Sequence, residues 1–378
     1  MIIESLLDSD LYKLTMLQAI WEHFPGTQVK YKFINRGGHK FTKEQFVRIQ
    51  REIMHFSNLK FTSDDIEFLA STKLFKYSFL AGFLPGYRNN NAVVLATHED
   101  DGSLSMEIQG LWANTVLYEV PILAIISEVL CDKTASMDDL NGRLNKKLRF
   151  YRDCPFHLID FGTRRRYSKE AHKYIVGELK DYAGFMGTSN VWLAKKYDLS
   201  PRGTMAHEWL MAGQAFTTLK NSQPYMLKKW ADTYEGRLGI ALSDTLGTNS
   251  FLDGFDGCLA RLYDGVRQDS GDPYEWFELI LSHYKSLGID ASTKQAVFSD
   301  SLDFEKARKL HEFIHGRMKD TYGIGTFLTN DTGLQPPNIV IKMTYCGGCP
   351  LIKLSDSPGK VICESPEYAA WVKSALRG

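Results

Sequence analysis

The sequence predicts an α/β protein whose main sheet is parallel, preceded by a region of mixed α+β character. Three observations carry this. From about residue 155, short apolar runs each end on polar or glycine residues: FHLIDFG at Asp160–Gly162, LGIALSD at Ser243-Asp244, DGVRQDSGD at Asp269–Asp272, QAVFSD at Ser299-Asp300 and YGIGT at Gly325-Thr326. Amphipathic helical stretches such as YSKEAHKYIVGELKDYAG, PYEWFELILSHYKSLG and DFEKARKLHEFIHGRMKD separate several of them, and parallel strands need helical crossovers of this kind. Polar groups gathered at strand C-termini point to a (β/α) barrel or an open α/β sheet, both of which place their sites there; spacing alone does not separate the two.

The first part reads differently. Asp8 or Ser9 can cap a helix in which Leu11, Leu14, Leu17, Trp21 and Phe24 recur at helical spacing, and Pro25-Gly26 ends it. Val29, Tyr31 and Phe33 then alternate with Lys30 and Lys32, the pattern of a half-buried strand. Helical, charged sequence follows to about residue 80, and strands around 91–97 and 103–109 flank His98–Gly102. After residue 340 the pattern loosens into hairpin-like pieces. The expected division is an N-terminal α+β domain over 1–150, to which 340–378 returns, and an α/β domain over 151–339.

At 378 residues the chain is too long for one ordinary domain unless it holds a large barrel. A net charge of +0 and a pI of about 7.1 argue against bulk nucleic-acid binding, while a local basic pocket stays open. The start, MIIESLLDSDLYKL, carries acids and no long apolar run, unlike a signal peptide. No segment approaches the roughly 18 uncharged apolar residues of a membrane span. Six cysteines do not make a disulfide scaffold in so long a chain, so a reducing cytoplasm is the default. Cys346-Gly-Gly-Cys349 has no second CxxC to complete a zinc site and reads as a tight turn.

Several strand ends could carry chemistry. Gly323-Ile324-Gly325-Thr326 frees backbone N–H groups for an anion without being a Walker motif. Ser299 and Ser301 stand at another strand end. Arg164-Arg165-Arg166 is either a phosphate clamp or a solvated turn. Asp244, Asp269 and Asp272 could hold sugar hydroxyls or a metal that accompanies phosphates, and Asp272 before Pro273 equally suits a helix cap. His207-Glu208 opens an apolar helical pattern in GTMAHEWLM. No HExxH or GxSxG is present, which leaves an imidazole near a helix start, able when neutral to accept a phosphoryl group.

Taken together, DSDLYKLTM, DFGTRRR, GTSNVWLAKK, GTMAHEW, LSDTLGTNSFL, GVRQDSGDP, GIGTFLTND and KLSDSPGK occur in an order that resembles the nicotinate phosphoribosyltransferase family nearly end to end. The resemblance implies an irregular (β/α) barrel with a second α+β domain, and a cytoplasmic homodimer. It implies formation of nicotinate mononucleotide from nicotinate and phosphoribosyl pyrophosphate, coupled to ATP hydrolysis. His207 then matches the histidine that ATP phosphorylates, with Glu208, Arg267 and Asp269 beside it in the catalytic set. Asp10 and Tyr12 match a segment that reaches the partner subunit's site. There Tyr12 would stack on the pyridine ring, opposite Phe161. Arg164 and Arg267 would meet the carboxylate or the ribose phosphate, and Thr204 would lie near the base. Asp244 and Asp269 would contact ribose and pyrophosphate through magnesium. Ser299, Asp300, Gly325 and Thr326 would bind the ribose 5-phosphate. Ser189 stands where nicotinamide-using relatives of the same fold carry an acid, which favours the acid substrate over the amide. A non-catalytic nucleotide-binding regulator on the same barrel is the third reading; His207 and the intact phosphate loops argue against it.

Overall fold

The computed structural model describes residues 1–131, 137–153, 155–357 and 361–376; the last three residues of KLSDSPGK lie outside them. In chain order the strands are β1 (Gln28–Asn35), β2 (Val93–His98), β3 (Leu104–Leu111), β4 (Leu158–Asp160), β5 (Phe185–Thr188), β6 (Ile240–Leu242), β7 (Gly265–Gln268), β8 (Gln295–Phe298), β9 (Lys319–Ile324), β10 (Ile339–Cys346) and β11 (Cys349–Pro350). They form an antiparallel sheet of order β11-β10-β1-β3-β2 and a parallel sheet of order β5-β4-β9-β8-β7-β6.

In the antiparallel sheet, Val29, Tyr31 and Phe33 of β1 are buried, as their alternation predicts. β10 pairs with β1 from Val29–Cys346 to Asn35–Ile339, so the chain's late residues complete a sheet begun by its early ones. Gly347 and Gly348 both have positive φ (55° and 81°) between the paired Cys346 and Cys349. That is the backbone of a two-residue hairpin, which accounts for Cys-Gly-Gly-Cys without a metal.

The parallel sheet curls into an irregular barrel. Its edge strands β5 and β6 do not pair with each other. The segment between them closes the gap: the backbone N–H of Arg202 donates to the Thr188 carbonyl at 2.9 Å, and the Thr204 hydroxyl donates to the Ile240 carbonyl at 3.0 Å. Pro201 lacks an N–H, so this stretch cannot serve as a regular ladder strand. β5 itself escaped the sequence reading, being four residues long with a glycine in it. Gly187 has a φ of 123°, and a Cβ there would meet the Ser200 carbonyl at 2.6 Å, so the closure needs glycine.

The first helix spans Leu11–His23, with Asp10 rather than Asp8 or Ser9 at its N-cap position and no side-chain cap bond. All of Leu11–Ile20 is buried, so the helix is enclosed on every side instead of amphipathic. Asp8 is committed elsewhere. Its carboxylate accepts two bonds from the Arg166 guanidinium (2.7 and 3.0 Å) and one from Asn190 (2.8 Å). Backbone bonds from Leu11 to Ser189, Val191 to Ser9 and Trp192 to Leu7 fix the N-terminal segment beside the exit of β5.

Trp112–Cys131 is long and apolar enough to cross a bilayer by length and composition, and 83% of that window is buried inside the protein. It carries Glu119 and Glu128 and is a core helix here.

The Asp8–Arg166 pair is fully desolvated, so removing one member strands the other. Asp8→Ala is expected to cost about 3–5 kcal/mol. Urea unfolding measures this, and a loss under about 1 kcal/mol, the scale of an exposed pair, would contradict it.

Candidate active site

The six parallel strands deliver their next residues to one end of the barrel: Phe161 after β4, Ser189 after β5, Ser243 and Asp244 after β6, Asp269 after β7, Ser299 and Asp300 after β8, Gly325 and Thr326 after β9. Parallel strands force this, since every C-terminal end points the same way.

His207 is the first residue of the short helix His207–Ala212 and only 7% exposed. Its Nε2 lies 2.7 Å from Oδ1 of Asp244 and 3.7 Å from Oδ2 of Asp269. Burial lowers its pKa, with the Lys353 ammonium adding to the effect, against the pull of Asp244 and Asp269. Burial would raise the Asp244 carboxyl, but His207, Lys353 and the Ser270 hydroxyl outweigh it and hold the group well below its ordinary range. The Ser270 hydroxyl donates to Oδ2 of Asp244 at 2.6 Å, and Lys353 pairs with the same oxygen at 3.0 Å. Asp269 accepts the Ser299 hydroxyl at 2.8 Å. Arg267 brings a buried Nε with no hydrogen-bond partner among the described residues, an unspent donor at the strand ends. Ligand atoms of His207, Asp244 and Asp269 all lie within 4.8 Å of one another, a spacing that could surround a cation.

A second group gathers around Arg164. The turn Thr163–Arg165 leaves its side chain 40% exposed, with Nε 3.9 Å from Asp10 and an NH group 3.9 Å from Glu119. The arginine triplet is therefore divided. Arg166 is buried on Asp8, the Arg165 Nε donates to the Ile339 carbonyl, and Arg164 alone faces the site. The Phe161 ring rests on Gly323, where a Cβ would come within 2.2 Å of Cδ2. Tyr12 is 8% exposed, and its buried hydroxyl has no hydrogen-bond partner among the described residues.

The geometry bears on five expectations. Glu208 does not face the site. Its carboxylate pairs with Lys13 and accepts bonds from Tyr31 (3.0 Å) and Trp112 (3.1 Å), because consecutive helical residues point about 100° apart. Asp10 and Tyr12 lie beside Arg164 of their own chain. Asp10 accepts the Ser189 hydroxyl of its own chain at 2.7 Å and sits beside Arg164 of its own chain. Ser189 therefore does not leave the region free of carboxylates, since it holds one in place. The Thr204 hydroxyl is spent on the Ile240 carbonyl. Asp272 is a helix cap, accepting from the backbone of Tyr274 and Glu275.

Two lysines from the returning C-terminal segment were missed. Lys353 lies in the KLSDSPGK motif. Lys342 is a single cation in the apolar strand IVIKMTY, which was a readable signal. Lys342 stands 3.7 Å from Glu119, and burial pushes its pKa down to about 8.

Comparison with known proteins fits this geometry. The nicotinate phosphoribosyltransferase (NAPRTase) family model matches residues 156–377, and the model of that family's N-terminal domain matches 7–127. The nicotinate phosphoribosyltransferase of Ralstonia nicotianae is 42% identical over all of this chain and 99% of its own length. That of Xanthomonas axonopodis pv. citri is 43% identical over all of this chain and 98% of its own. The crystal structure of nicotinate phosphoribosyltransferase from Vibrio cholerae superposes with a TM-score of 0.94 at 37% identity, covering 100% of this chain and 94% of that one. The Porphyromonas gingivalis enzyme gives 0.94 at 34% identity, with full coverage of both chains. The chain belongs to the nicotinate phosphoribosyltransferase family.

Proposed function

We propose that this chain forms nicotinate mononucleotide and pyrophosphate from nicotinate and phosphoribosyl pyrophosphate, and that ATP phosphorylates His207 to drive the transfer. The relatives support the transfer reaction. One observation supports the rest: a buried imidazole with lowered pKa, held through Nε2 by Asp244 among strand-end acids and cations. A carboxylate only accepts, so Nε2 carries the proton and Nδ1 the lone pair. The γ-phosphoryl group of ATP would pass to Nδ1 as its bond to ADP breaks, and water would later release it as inorganic phosphate.

In the transfer, the bond from ribose C1 to the pyrophosphate oxygen breaks, and the ring nitrogen of nicotinate supplies the electrons of the new C1–N bond. No protein nucleophile is needed, because catalysis lies in positioning two substrates and neutralising the leaving charge. Arg164 meets the nicotinate carboxylate while Phe161 and Tyr12 flank the ring. Arg267 meets ribose or pyrophosphate oxygens. Ser299, Asp300, Gly325 and Thr326 take the ribose 5-phosphate.

Asp269 is the carboxylate with room for magnesium arriving on the pyrophosphate, and its oxygens suit that ion. Asp244 fits less well, since His207, Ser270 and Lys353 already occupy its oxygens. Magnesium bound there supplies charge neutralisation for the leaving group. The homodimer, with active sites to which both subunits contribute, is carried as part of this proposal.

Replacing His207 with Ala is expected to abolish nucleotide formation coupled to ATP hydrolysis and to leave weak ATP-independent transfer. Label from radioactive ATP appearing on the variant would overturn the assignment.

The pH dependence has a definite sign. A pKa below the ordinary value of about 6.5 keeps His207 neutral as pH falls through that value, so phosphoryl acceptance should fail only at lower pH. Lys353 contributes to the lowering, so Lys353→Met should raise the pKa and move the acid limb upward. Burst phosphorylation measured from pH 5 to 8 reads the limb; an unmoved or lowered limb contradicts this account.

Nicotinamide offers Arg164 no charge to meet. Arg164→Gln should therefore narrow the preference for nicotinate by about tenfold to a hundredfold, the size of one charge-assisted contact. Competition between the two substrates measures it, and an unchanged ratio would place selectivity elsewhere.

A further inference from the structure

We propose that His172 is a positioning residue for nicotinate, acting through Asp160 on the turn that carries Phe161 and Arg164. The inference rests on the functional reading above.

Asp160 ends β4 and is fully buried. One carboxylate oxygen accepts the Gly162 backbone N–H at 2.8 Å. The other accepts the Thr188 hydroxyl at 2.6 Å and lies 2.6 Å from Nε2 of His172. His172 comes from the helix Lys169–Leu179 and is also fully buried. The Gly162 peptide is thus gripped on both sides, because its carbonyl accepts the Thr329 hydroxyl at 2.9 Å. It has no room to shift either: a Cβ on Gly162 would lie 2.1 Å from the Thr329 methyl. Phe161 precedes this clamped peptide, and Arg164 follows two residues later.

The same carboxylate reaches the next loop. Thr188, while donating to Asp160, accepts the Asn190 N–H at 3.0 Å, which shapes the turn holding Ser189 against Asp10. Asp160 therefore sets two of the turns that frame the nicotinate region, and His172 is one of its three donors.

Packing alone does not account for an imidazole here. An apolar side chain would fill the space without desolvating a polar ring. His172 also leaves Nδ1 buried with no hydrogen-bond partner among the described residues, a cost that core packing does not require. What the imidazole adds is a donor that keeps Asp160 ionised and aimed at Gly162. Without it a buried carboxylate is one donor short and is driven to rotate or take up a proton.

The test compares His172→Leu, His172→Gln and Thr188→Val in the full-length enzyme. His172→Leu should raise the KM for nicotinate by about tenfold or more, the effect of misplacing a binding group by under an ångström, while the KM for phosphoribosyl pyrophosphate stays within about threefold. His172→Gln, whose amide N–H can donate to Asp160, should recover most of the loss. Thr188→Val serves the same comparison if His172→Leu does not fold. Amide exchange over residues 161–166 gives a readout without substrate: faster exchange in the Leu variant, restored by Gln, supports the proposal. A folded Leu variant with wild-type nicotinate KM and unchanged exchange overturns it, and so does equal impairment of the Leu and Gln variants in both KM values. Failure of the wild-type protein to make nicotinate mononucleotide would instead count against the functional reading, and the exchange comparison would still decide the role of His172.

Discussion

The structure turns on a lysine that no water reaches. Lys13 of the first helix pairs with Glu119 at 2.7 Å and with Glu208, whose carboxylate also accepts from Tyr31 of β1 and from Trp112. Burial would lower the lysine's pKa, but the two carboxylates outweigh it and raise it. Such a cluster tolerates no missing member, since each loss leaves an unpaired charge in a low dielectric. The first helix, the 119–131 helix, the antiparallel sheet and the 207–212 helix must therefore meet at one point. The cluster also accounts for the orientation of His207. With Glu208 anchored inward, its neighbour is turned toward the strand ends.

That anchoring bears on how the site is built. The N-terminal segment is held to its own barrel by the Asp8–Arg166 pair and by backbone bonds to Ser189, Val191 and Trp192. A segment docked this way brings Asp10 and Tyr12 to the same chain's Arg164. The C-terminal segment does the same from the opposite direction. The backbone N–H of Leu354 donates to the Thr245 carbonyl, and Asp356 accepts from Thr248, which lays Lys353 on Asp244. Both ends of the described chain thus converge on a barrel encoded in the middle.

The barrel was legible where strands end abruptly on polar residues. β4, β6, β7, β8 and β9 all appear in the sequence as apolar runs with Asp, Ser or Gly at the exit, and those exits are the site. β5 was not legible, because four residues with a glycine give neither period nor length. Nor was the closure between β5 and β6, which depends on a proline-containing segment that forms no ladder. Side-chain direction was the larger gap. Glu208 and His207 are adjacent in sequence and face different environments, and Thr204 spends its hydroxyl on a backbone carbonyl. Lys13, Glu119 and Lys342 were detectable only as charges inside apolar stretches. A residue's type tells what it can do, but which partner it finds depends on contacts hundreds of residues away.

A net charge of zero hides a local arrangement suited to anions. Arg164, Arg267 and Lys342 gather where the strand ends open, and among the described residues none is matched by a close, dedicated acid. Arg164 has Asp10 and Glu119 only at 3.9 Å, and Lys342 has Glu119 at 3.7 Å. The tight pairs lie deeper. Lys353 is spent on Asp244, and together they fix the state of His207 from both sides: the carboxylate holds Nε2, and the ammonium opposes a charge on the ring. Loosely paired cations can turn toward an arriving carboxylate or phosphate at little cost, because the contacts they give up are weak. Tightly paired groups cannot turn, and so preserve the protonation state on which phosphoryl acceptance depends. The difference between 3.9 Å at the mouth and 2.7 Å at the histidine thus separates the groups that would bind substrate from the groups that would keep the nucleophile ready.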